Sequence, residues 1–289
     1  MNELFDVPGP RGRRTLAIIN ALGLAIILAI TGIIVWILVA KGQLSTARWT
    51  PFLTSSVWSN YLIPGLVATL KAAGIAIVTS NALGILLGVG RLSAIAPIRW
   101  VSGIIVEFFR AVPVLVMMIF FYFALSHLAL SSESFDSQHA PFLGVVLGLT
   151  LYNGSVIAEL VRSGVHNLPA GQREAGLAIG LRHSQLLRSV LLPQALVSMM
   201  PAMVSQLVVI LKDTALGFII AYPELLRQAR LVGTSQGNLL ASLIVAALMF
   251  IVVNTALSYA ADVLSRRLSA RTGGQSEEVA QAALVVDAD

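Results

Sequence analysis

Apolar and polar positions alternate along this chain on the scale of whole segments. Six stretches carry few or no charges and are long enough to cross a bilayer as helices: 16–40, 66–90, 104–128, 142–162, 197–221 and 239–261. The first runs from Leu16 to Ala40, 25 residues without a charge. A cleaved signal core spans only ~7–15 apolar residues, so this stretch reads as a retained membrane helix. Gly84-x3-Gly88 in the second stretch and Gly144-x3-Gly148 in the fourth are small-residue pairs that let helix backbones approach closely. The fold expected is all-α and polytopic, with about six transmembrane helices.

One segment breaks the alternation. Between the fourth and fifth stretches, 172–193 reads QREAGLAIGLRHSQLLRSVLLP, with dispersed charge and two apolar stripes at i, i+3, i+4 spacing. Leu177, Ala178 and Leu181 form the first stripe; Leu186, Leu187, Val190 and Leu191 form the second. Two short helices separated at Gly180 are predicted, with Glu174 near the start of the first and Pro193 closing the second. A plain connection would need neither stripe. They pack on the chain's own membrane body, or they form a knob for a separate partner.

Composition narrows the picture. The 289 residues are 57% hydrophobic and 11% charged, with a mean hydropathy of +0.85. The net charge of +5 comes largely from arginines beside the apolar stretches, which is topology rather than nucleic-acid binding. Arg11, Arg13, Arg14, Arg91, Arg99, Arg173, Arg182, Arg188, Arg266, Arg267 and Arg271 fall on one side of a six-span arrangement. Only Lys41, Arg48, Arg227 and Arg230 fall on the other. Both termini and the 172–193 segment are therefore expected in the cytoplasm of a cell-membrane protein. Trp49, Phe52, Trp58 and Tyr61 suit the opposite interface, and Lys71 is placed to snorkel towards it. With no cysteine, no phosphate-binding G-x-x-x-x-G-K-[ST] loop and no metal-ligand spacing among four histidines, the chain carries no catalytic constellation, metal site or nucleotide site of its own.

Charges inside the apolar stretches need partners, because each costs ~2.5 kcal/mol or more at mid-helix. Glu107 with Arg110 and Glu159 with Arg162 sit at i, i+3 and can pair on one helix face, as fixed ion pairs or as groups that move during a conformational switch. Lys212 and Asp213 are adjacent, diverge by ~100° around a helix and cannot pair closely. A solvated pathway and a buried pair with outside partners are both open for them. Tyr152 and Asn153 are polar at similar depth and fit the pathway or a simple interhelical hydrogen bond.

The 172–193 segment resembles the E-A-A-x3-G-x9-I-x-L-P loop of membrane subunits of ATP-binding cassette importers, through Glu174-Ala175-Gly176, Gly180, Val190, Leu192 and Pro193. Gly176 stands for the second Ala and Val190 for Ile. Glu107-Phe108-Phe109-Arg110-Ala111-Val112-Pro113 is similar to the E-x-x-R-G-T-P signature of the polar amino-acid branch. Tyr152-Asn153 through Glu159-x-x-Arg162, Leu192-Pro193-Gln194-Ala195, Leu211-Lys212-Asp213-Thr214-Ala215-Leu216 and Glu224-Leu225-Leu226 extend the likeness. Within that branch, Val7-Pro8-Gly9-Pro10 and Arg99 to Gly103 look most like glutamate permeases.

The resemblance covers about 62–264 and implies a type I (MetI-like) permease core. Around that core it leaves a cytoplasmic tail at 1–15, an added helix at 16–40 and a disordered cytoplasmic tail at 265–289. It further implies a coupling loop at 164–195, with Glu174, Ala175, Gly176, Gly180, Leu192 and Pro193 meeting a cytoplasmic ATPase. Lys212, Asp213, Thr214, Tyr152 and Asn153 become pathway residues. The partners implied are ATPase subunits that bind ATP and Mg, a second permease subunit and an extracytoplasmic amino-acid-binding protein. Transport would proceed by alternating access. The rival is an ATP-independent carrier or channel in which the loop is merely structural.

Overall fold

Pro113 divides what hydropathy reads as one span. In the computed structural model, which describes residues 9–131 and 136–286, helix α3 (Ala96–Ala111) and helix α4 (Val114–Ser131) meet at 99°. The proline disfavours the α conformation at the residue before it, and Val112 is extended at φ −85°, ψ 126°. The continuous 104–128 span is therefore corrected. Helix α4 runs for 18 residues, ~27 Å, and α3 is turned away from it, so the two do not form one straight span. Expectations resting on 1–8, on 132–135 of the loop after α4, or on 287–289 lie outside the described residues.

The other spans stand near their predicted places. Helix α1 (Pro10–Ala40) keeps its apolar side chains exposed along its length, as lipid-facing groups are. Helix α2 (Ile63–Arg91) follows a π-turn at Trp58–Leu62. Its Lys71 ammonium lies 5.1 Å from the centroid of the Phe142 ring, a cation–π contact at the helix end remote from Arg91. Helix α5 (Ala140–His166) is the one the others pack around. Val145, Leu149, Ile157 and Ala158 on it are fully buried.

Both glycine pairs do what small residues permit. A Cβ built on Gly84 would stand 2.6 Å from Ile157 and 2.8 Å from the Gly154 carbonyl, and one on Gly88 would stand 2.8 Å from Val161. Gly144 and Gly148 bring α5 against Met118 on α4, which would stand 3.1 and 2.7 Å from a Cβ at the two positions. Helices α2 and α5 are thus in backbone contact.

The second half departs from expectation in three places. The predicted 197–221 span is built from the end of helix α8 (Leu192–Ser198), helix α9 (Met200–Asp213) and a 3-10 segment, Thr214–Ile220. The 221–237 loop holds helix α10 (Leu225–Ser235). Its N-cap, Glu224, is fully buried and accepts from the Leu226 and Arg227 amides at 2.7 and 2.6 Å, a local signal that hydropathy does not register. Helix α11 (Leu239–Val286) continues well past Thr272, where disorder was predicted.

Glu224 lies outside the spans, and burial pushes its carboxyl up to about 7, against the opposing pull of the two amides and Arg227. The folded chain therefore holds a proton there that the unfolded chain has lost above about pH 4.5. This contribution to stability is full below that value and fades as pH rises through about 7, by up to ~3 kcal/mol. Thermal unfolding in detergent should show the wild type losing stability between pH 5 and 7.5, with a smaller loss in Glu224→Gln. Equal slopes would remove Glu224 as the cause.

Candidate functional site

Two groups of predicted residues come together at the Arg91 end of the bundle. The first is the helical hairpin between α5 and α9. Helix α6 (Ala170–Ala178) closes in a Schellman turn, with the Leu181 amide donating to the Gly176 carbonyl at 3.1 Å and the Gly180 amide to Leu177 at 3.0 Å. Gly180 adopts φ +81°, a left-handed conformation that a glycine takes without strain. The break at Gly180 stands as predicted.

Glu174 does not start its helix. Pro169 is the N-cap, so Glu174 is the fifth helical residue and gains little from the helix N-terminus. Nor does Pro193 end the second helix. Helix α7 (His183–Leu186) passes through a π-turn, Leu187–Leu191, directly into α8, with Pro193 in its first turn. The wider turn accommodates a residue that lacks an amide donor.

The two stripes have different fates. Leu186, Leu187 and Leu191 are buried against Val89, Leu92, Val165 and Leu168, with Leu181 and Val190 at the edge. Gly176 is buried because the Leu186 Cδ1 sits 2.4 Å from where its Cβ would be. His183 Nε2 donates to the Leu92 carbonyl at 3.1 Å, and Gln194 Nε2 to Gln172 Oε1 at 3.3 Å. On the other side, Glu174, Ala175 and Ala178 are exposed, together with Leu177 at 49% and Ile179 at 78%. Leu192 is half-buried and Pro193 exposed. The second helix is fastened to the bundle while the first presents an unmatched face.

The second group is an ion network. Glu107–Arg110 and Glu159–Arg162, predicted as separate pairs, are joined by Arg91, the last residue of α2. Arg91 reaches Glu159 at 2.8 Å and Glu107 at 3.0 Å. Arg162 holds Glu159 at 2.5 Å, while Arg110 stands 3.8 Å from Glu107 and 3.7 Å from Glu159. Three helices, α2, α3 and α5, are tied at one level. Arg91 escaped notice because an arginine ending an apolar span reads only as a topology marker.

Lys212 and Asp213 stand at the switch from α9 to the 3-10 segment and make no ion pair among the described residues. Lys212 is exposed and borders a cavity of 390 Å³ with Phe250, Asn254 and Thr255 of α11. The Asn254 Oδ1 is buried there without a hydrogen-bond partner. Thr214 is buried, its hydroxyl donating to the Leu211 carbonyl at 2.6 Å. Asn153, also buried, accepts from Gln206 Nε2 of α9 at 2.5 Å, and Tyr152 beside it is half-buried. For Asn153 an interhelical hydrogen bond is what forms. Gln206 was not singled out because one amide in an apolar run carries no pattern.

Residues 80–270 match the family described as the binding-protein-dependent transport system inner membrane component. The chain belongs to that family. This permease is 45% identical over 232 residues to the glutamate transport system permease protein GluD of Corynebacterium glutamicum, covering 80% of this chain and 83% of that one. It is 29% identical over 212 residues to the glutamate/aspartate import permease protein GltK of Escherichia coli O157:H7, covering 72% and 93%. The solved structure of an amino acid ABC transporter with histidines superposes at a TM-score of 0.66 with 26% identity, covering 75% of this permease and 98% of that chain. The permease is the membrane subunit of an ATP-binding cassette importer for amino acids, and ATP hydrolysis belongs to separate subunits of such systems.

Proposed function

We propose that this permease imports an acidic amino acid, glutamate foremost, by alternating access. Cytoplasmic ATPase subunits grip the exposed face of α6, a second permease subunit completes the pathway, and an extracytoplasmic binding protein delivers the substrate. Both termini and the α6–α8 hairpin face the cytoplasm. One observation carries the mechanical part. Leu177 and Ile179 are apolar and exposed on a short helix whose neighbour is anchored on the bundle through Leu186, Leu187 and Leu191. A push on α6 is therefore transmitted rather than absorbed. The ion network at the same end fastens α2, α3 and α5, so that they move together. The cavity bordered by Lys212 supports a substrate pathway at that depth, and the 45% identity to a glutamate permease supports the substrate.

Glu174 is exposed and makes no ion pair within the chain among the described residues, so Glu174→Arg leaves the fold intact. In proteoliposomes with its ATPase and binding protein, uptake of labelled glutamate should fall by about tenfold or more, as loss of ~1.4 kcal/mol of docking implies. Its level in the membrane should stay constant, and unlabelled glutamate should compete better than arginine. Wild-type uptake by the variant would overturn the docking role. Equal competition by arginine would overturn the substrate.

A further inference from the structure

Helix α3 presents a feature that transport does not use. Trp100, Ile104 and Phe108 follow one another at i, i+4, i+8 and are 69%, 63% and 61% exposed. This stripe forms one wall of a cavity of 860 Å³, whose polar wall holds Arg91, Arg99, Arg162 and His166. A single carboxylate there, Glu107, is already engaged by Arg91. Arg99 donates to the Ser93 carbonyl at 2.9 Å and has no carboxylate partner among the described residues. A second cavity, of 520 Å³, shares Arg91, Arg99 and His166 and adds Arg173 and His183 of the coupling hairpin. Arginine and histidine side chains thus line the walls from α3 to α6, edged by an apolar stripe. Arg91 and Arg162 are held by Glu107 and Glu159, while Arg99 and Arg173 have no carboxylate partner among the described residues.

We propose that this trough binds the phosphodiester headgroup of an anionic phospholipid, with its acyl chains lying along Trp100, Ile104 and Phe108. Basic pockets between helices at the membrane surface recognise such headgroups through charge, and an interfacial Trp lies at headgroup depth. The same face of a second copy would set arginines against arginines in a medium of low dielectric, which opposes association. A free inorganic anion would satisfy the cations and leave the stripe without an occupant. Because the trough is walled on one side by the coupling hairpin, the lipid bridges the hairpin to α3. Only the choice of leaflet rests on the orientation proposed above.

The full chain, purified from a 1:1 mixture of phosphatidylglycerol and phosphatidylcholine, is examined by native mass spectrometry for retained lipid. Phosphatidylglycerol should be retained in preference. Arg99→Gln should lower that preference by about fivefold, the effect of ~1 kcal/mol per cation near an anionic surface. Arg99→Lys should keep most of it, and Trp100→Ala should lower retention of both lipids. Equal retention of the two lipids, or an unchanged ratio in Arg99→Gln, would overturn the site. Should Arg99→Gln fail to fold, Arg99→Lys and Trp100→Ala decide, and the site falls if retention by Trp100→Ala equals the wild type's. Displacement of the lipid by inorganic phosphate alone would assign the cations to a small anion and overturn the lipid. The readout needs no ATPase and no substrate, and Glu174→Arg should bind lipid as the wild type does, so the two proposals fail separately.

Discussion

Glu159→Ala should destabilise the permease far more than Glu107→Ala, although both remove one carboxylate from the same network. Glu159 faces three guanidiniums: Arg162 at 2.5 Å, Arg91 at 2.8 Å and Arg110 at 3.7 Å. Its side chain is 22% exposed and that of Arg91 is 14%. Removing it leaves Arg91 half-satisfied and three like charges around a single remaining carboxylate. Breaking a wholly buried pair costs ~3–5 kcal/mol; water reaches part of this network, so about 2–4 kcal/mol is expected. Glu107, 60% exposed, is worth at most ~1 kcal/mol. Thermal unfolding of the two variants in detergent, with monodispersity checked by gel filtration, measures the difference. Equal losses would mean that the network is held by its surface members, and that Arg91 does not lock α2 to α5.

That contrast marks where the sequence stops being informative. The i, i+3 spacing of Glu107–Arg110 and Glu159–Arg162 is local, and both pairs form as spaced. Their union through Arg91 depends on how α2, α3 and α5 are brought together, and no single-segment pattern contains it. The break at Gly180 was legible because a Schellman turn is itself local chemistry. Pro113 and Pro193 show the same physics read two ways. The first bends a helix pair by 99° inside an apolar run whose hydropathy never falls. The second is passed without a stop because a π-turn precedes it. Hydropathy located the spans and the glycine pairs located a contact. It could not see Glu224, whose N-cap role depends on two amides downstream and whose burial depends on the tertiary fold around it.

Gly84→Leu is expected to prevent α2 and α5 from packing, and it is the most damaging single change considered. A Cβ at Gly84 would lie 2.6 Å from the Cβ of Ile157 and 2.8 Å from the backbone oxygen of Gly154. A side-chain tip can rotate away from such a clash, but a Cβ and a carbonyl oxygen move only with their helix. Even Gly84→Ala must separate the two backbones, at ~1–3 kcal/mol for an overpacked contact. Leu adds three more carbons to the same place and should abolish monodisperse protein. Gly74 lies on the same helix with nothing within 4 Å of its would-be Cβ, so Gly74→Leu carries the same added bulk into open space. It should therefore fold as the wild type does, within ~1 kcal/mol. Comparing folded yield and melting temperature for the two leucine variants separates close packing from any general intolerance of α2 to bulk. If Gly74→Leu were as damaging as Gly84→Leu, the Gly84-x3-Gly88 surface would not be what joins these helices. If Gly84→Leu melted like the wild type, α2 and α5 would not be in backbone contact at all.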